Sequence, residues 1–108
     1  MRYLIFAAAT VLLASPANAQ SGPPRYDVAK YCEKVAASIG GSSQIENTCI
    51  RQEQSAYNTL KSSWPTIPSK VTTYCDKVAS SVGGTYAILR TCIEQETNAS
   101  SSKPGFQY

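Results

Sequence analysis

The chain has 108 residues, ten basic and seven acidic side chains, a net charge of +3 and no histidine at all. Without histidine the usual general base is missing, and a Ser-His-Asp or Cys-His arrangement is excluded. Nine of the basic residues are spread along the chain from Arg25 onward and are opposed by the acids. That is an ordinary charged surface and not the dense basic patch of a nucleic-acid binder.

Residues 1–19 read as a secretory signal peptide: Arg2, an apolar run from Tyr3 to Ala14, then Ala17-Asn18-Ala19 as a small-residue cleavage site. The apolar run is too short for a stable membrane anchor. The expected mature chain starts at Gln20 and keeps 89 of the 108 residues. It is expected to hold one domain over residues 20–99, built from two α-hairpin repeats at about residues 25–62 and 66–99, with a flexible tail over residues 100–108.

The repeat is written in the sequence itself. YCEKVAASIGGSSQIENTCIRQEQSA at residues 31–56 returns 43 residues later as YCDKVASSVGGTYAILRTCIEQETNA at residues 74–99, with 15 of 26 positions identical. Each copy centres on a glycine pair, Gly40-Gly41 and Gly83-Gly84, and its cysteines stand eight residues to either side. If the glycines stop one helix and start another, the 1.5 Å rise per residue brings the two sulfurs of a copy to the same height.

Four cysteines allow three connectivities. Cys32 with Cys49 and Cys75 with Cys92 is the one that respects the repeat. In an oxidising compartment such bridges persist, and each closed loop is worth roughly 3 kcal/mol.

Helical spacing supports this reading. Val28, Cys32, Val35 and Ile39 fall on one stripe before the first turn, and Val71, Cys75, Val78 and Val82 repeat it before the second. Pro23 and Pro24 suit the first turn of a helix running to about Ile39. Ser43 with Glu46 reads as a capping box for the next helix, whereas the second copy keeps at most a capping threonine, Thr85. The inward stripes of the second and fourth helices are expected to be Ile45, Cys49, Gln52, Ala56 and Ile88, Cys92, Gln95, Ala99. The two glutamines either bridge neighbouring helices or edge the core.

The second helix outlasts its repeat through Tyr57, Leu60 and Trp64, on the side where hairpin is expected to pack on hairpin. Pro65 ends it, Pro68 opens the third helix, and the fourth runs from about Thr85 to Asn98. The fold class is therefore all-α, two tandem disulfide-closed hairpins in a small four-helix domain.

The unit Tyr-Cys-x-x-Val-Ala-x-x-x-Gly-Gly-[Ser/Thr] followed by Thr-Cys-Ile-x-Gln-Glu resembles repeats in small exported bacterial proteins with no established activity. The resemblance covers residues 31–56 and 74–99, and it implies a bacterial, periplasmic origin. It carries no catalytic residue to transfer.

No catalytic, cofactor-binding or metal-ligating set is expected. There is no Cys-x-x-Cys pair and no histidine to complete a zinc site. The leading function is a non-enzymatic exported binding or structural module that engages an envelope protein or a small ligand. Trp64, Tyr86, Phe106 and Tyr108 are its candidate interaction surface, because aromatics with a polar tip favour interfaces. One alternative is an envelope hydrolase using Glu53 and Glu96, the carboxylates the repeat singles out. Another is a secreted inhibitor or toxin-like effector on the same rigid hairpins.

Overall fold

The structure, a computed structural model, describes residues 22–108; the expected signal peptide lies outside them. Helix α1 spans Val28–Ala37, α2 Ser43–Ser63, α3 Ser69–Ser81 and α4 Tyr86–Ser101, with a short 3₁₀ turn at Trp64–Thr66. No strand occurs among the described residues. Helix α1 packs on α2, α3 packs on α4, and α2 packs on α4, so the two long helices lie inside and the two short ones outside.

Disulfides close both hairpins as the repeat requires. Cys32 joins Cys49 and Cys75 joins Cys92, with Cα atoms 5.5 Å apart in each pair. All four glycines of the turns have positive φ, the left-handed backbone that stops a helix without a Cβ penalty. Gly41 donates its N–H to the carbonyl of Ala36, and Gly84 donates to that of Ala79. Both turns thus use the same six-residue closure.

Several boundaries differ from the sequence expectations, each for a local reason. Helix α1 opens at Val28 and not at Pro23, because the Asp27 carboxylate accepts the Lys30 N–H at 3.1 Å and caps the helix there. It also ends at Ala37, so Ile39 falls beyond the helix and is 62% exposed. Val82, its counterpart after α3, is 54% exposed. The residues that seal the helix ends against the core are Ala36 and Ala79.

Helix α2 is capped by Ser42, whose Oγ accepts the Ile45 N–H at 3.3 Å. That register puts Glu46 one place too far along to close a capping box with Ser43. Helix α4 continues past Asn98 to Ser101, and the hydroxyls of Ser101 and Ser102 bond the carbonyls of Thr97 and Asn98 at its end.

The core is lopsided. Ala56, Leu60, Trp64, Cys75, Ala79, Tyr86, Leu89 and Ile93 form one buried cluster, drawn from the second hairpin, the C-terminal half of α2 and the 3₁₀ turn after it. The extension of α2 past its repeat supplies Leu60, as its apolar face suggests, and the 3₁₀ turn that follows supplies Trp64. Gln52, Gln95 and Ala99 are exposed. Because α2 and α4 each serve two neighbours, their buried stripes rotate toward the junction between hairpins, onto Glu53 in α2 and onto Leu89 and Ile93 in α4.

Candidate functional site

The two copies of the repeat meet at a buried carboxylate. Glu53 is 2% exposed. Its Oε1 accepts the hydroxyl proton of Thr85 at 2.5 Å, and its Oε2 accepts the backbone N–H of Tyr86 at 2.6 Å. Thr85 stands at the cap position of α4 but makes no capping bond of its own. The acceptor for the start of α4 therefore comes from α2. A carboxylate there also faces the positive end of the helix dipole.

Residues 22–27, without regular secondary structure, form a strap that ties the lead-in to α1 to the second hairpin. Tyr86 is the post it winds around: its hydroxyl donates to the Pro24 carbonyl at 2.8 Å and accepts the Tyr26 N–H at 2.9 Å. The Tyr26 ring lies 4.7 Å from that of Tyr86, centroid to centroid, and Tyr57 meets Tyr86 edge-on at 4.9 Å. The fit also needs Gly84, since a Cβ added there would stand 3.2 Å from the Tyr26 ring.

The Tyr26 phenol donates to Asp76 Oδ1 at 2.6 Å, and Ser80 donates to the same oxygen. Partial burial and the adjacent Asp76 carboxylate push this phenol well above the usual tyrosine range. Since the folded value exceeds the unfolded one, its contribution to stability is complete below about pH 10 and is lost as pH rises beyond it. The urea midpoint of the wild type should therefore fall more steeply between pH 9 and about pH 11 than that of Tyr26→Phe. Equal slopes would show that the phenol does not carry the effect. Among the described residues no cysteine is free to drive disulfide exchange at those pH values.

Beside this junction opens a cleft of about 420 Å³. Tyr26, Tyr57 and Tyr86 line it together with Glu53, and Ile50, Val28 and Ala29 add apolar wall. Arg25 and Gln54, both exposed, also border it. A second groove of about 700 Å³ runs past Lys30, Lys34, Tyr31 and Val82, with no buried titratable side chain in its wall. No family model, curated protein or solved structure matches this chain. What the cleft does has to be read from its own residues.

Of the four aromatic residues expected to face partners, Trp64 is 7% exposed and Tyr86 5%, both inside the core cluster. The physical reason is that the junction needs their volume. Phe106 and Tyr108 are exposed and touch each other edge-on at 4.9 Å. The carboxylates paired by the repeat have different fates: Glu53 is buried in the cleft wall, whereas Glu96 is exposed and does not line it. Among the described residues no group of three or more His, Cys, Asp or Glu could hold a metal ion.

Sequence reasoning passed over Tyr26, Asp76 and Arg25. Their signal was faint, a tyrosine between a proline pair and a capping aspartate. Thr85 was visible only as a cap, and its turn toward Glu53 depends on how the hairpins pack.

Proposed function

We propose that this is a small exported, non-enzymatic binding protein of the bacterial envelope, and that it seats a small ligand in the cleft between its hairpins. The observation that carries the reading is the state of Glu53. Each of its oxygens already holds a hydrogen bond that positions α4, so the deepest carboxylate of the cleft serves as a fixed wall. The paired-carboxylate hydrolase would need Glu96 within reach of Glu53, and Glu96 does not line the cleft.

Tyrosine rings, a few apolar side chains and a small number of placed polar groups are the usual lining of a ligand seat. Export is supported by the leader-like residues 1–19 and by two disulfides. No helix among the described residues is long and apolar enough to cross a membrane.

A fragment screen followed by NMR on the oxidised protein tests the reading. Shifts are expected to cluster on Tyr26, Glu53, Tyr57 and Tyr86. Hits confined to Phe106 and Tyr108 would move the binding surface to the tail, and hits nowhere would remove the small-ligand reading.

A further inference from the structure

We infer that the ligand of this cleft is a small soluble zwitterion, a methylated ammonium carrying an anionic group a few bonds away. The inference rests on the binding reading above and names its ligand class. It follows from how charge is layered through the cleft.

The inner wall is electronegative. Glu53 is almost wholly buried, and it has no ion-pair partner among the described residues, where the single ion pair is Arg90 with Glu94. Each oxygen accepts one hydrogen bond, and a carboxylate can accept about four in all. Tyr26, Tyr57 and Tyr86 line the same cleft, and the π-systems of aromatic rings attract cations. The outer edge is positive, because Arg25 is exposed at the border of the same cleft and has no carboxylate partner among the described residues.

A ligand complementary to this order places a cation inward and an anion outward. Ile50 in the wall favours a methylated ammonium over a bare one, because a weakly hydrated cation gives up its water at lower cost. A metal ion is disfavoured because Glu53 is the one carboxylate among the described residues that line the cleft. The volume of about 420 Å³ leaves room for a molecule of this size.

Isothermal titration of the oxidised protein with three probes of one shape tests this. Glycine betaine carries both charges, choline lacks the anion, and 3,3-dimethylbutanoate replaces the ammonium by carbon. Glycine betaine should bind saturably, and about tenfold more tightly than either of the others. Arg25→Gln and Tyr57→Leu should each weaken it by about tenfold, while helix content and the two disulfides stay as in the wild type.

Equal binding of 3,3-dimethylbutanoate, tighter binding of choline, or indifference to both substitutions would each overturn the inference. Phosphocholine in solution should bind as the betaine does, and pelleting with phosphatidylcholine vesicles would overturn the assignment to a soluble solute. If none of the probes binds while neutral fragments still seat beside Tyr57, the zwitterion falls and the binding reading stands. If no fragment seats there either, both fall.

Discussion

Glu53→Ala is expected to lower the unfolding free energy by about 3–5 kcal/mol, while Glu96→Ala changes it by less than about 0.5 kcal/mol. The two residues occupy the same place in the repeat, so the contrast isolates the environment. Removing the Glu53 side chain strips the Thr85 hydroxyl and the Tyr86 N–H of their acceptor. Each buried donor left unpaired costs about 1–3 kcal/mol, and the vacated volume adds a cavity term. Loss of a carboxylate at the positive end of α4 acts in the same direction.

In a domain of this size the loss corresponds to a fall in Tm of more than about 10 °C. Glu53→Gln should fall between, since an amide keeps one acceptor for two donors. Urea and thermal unfolding of the oxidised protein provide the measurement. Equal stabilities for the alanine variants at Glu53 and Glu96 would refute the role assigned to this carboxylate.

That asymmetry also explains what could be read ahead of the structure. Cysteine spacing, glycine turns and helical stripes are local and appear in both copies, so hairpins and disulfides follow from the repeat alone. The junction is not local. It is made where the copies differ: Ser43 in the first copy stands where Tyr86 stands in the second, and Glu46 where Leu89 stands. Those substitutions turn a solvent-facing helix start into the centre of the core.

A repeat alignment weights the shared residues, and it therefore pointed to Glu53 and Glu96 as partners. In the fold one copy's glutamate meets the other copy's turn. The strap was hidden for a related reason. Pro23 and Pro24 are equally at home in a first helical turn or an extended segment, and the choice was made by Tyr86, 62 residues away from Pro24.

The same lopsidedness governs the second large effect. Both disulfides close loops of sequence separation 17, so the chain-entropy model assigns each about 3 kcal/mol. The folded state does not treat them alike. Cys75 belongs to the core cluster and Cys92 packs against it, whereas Cys32 is buried outside that cluster.

Replacing Cys75 and Cys92 by alanine removes the crosslink and leaves core volume unfilled, so the loss should exceed about 4 kcal/mol and be felt in every helix. Replacing Cys32 and Cys49 should cost about 3 kcal/mol. It should also loosen α1 first, because α2 is the one helix among the described residues that packs against it. Denaturation gives the order of the two losses, and amide hydrogen exchange gives their location. Fast exchange confined to α1 in the Cys32→Ala, Cys49→Ala protein would fit a structure whose stability is centred on the second hairpin. Equal losses, or exchange spread evenly through α2, α3 and α4 in that protein, would mean that the first hairpin carries as much of the fold as the second.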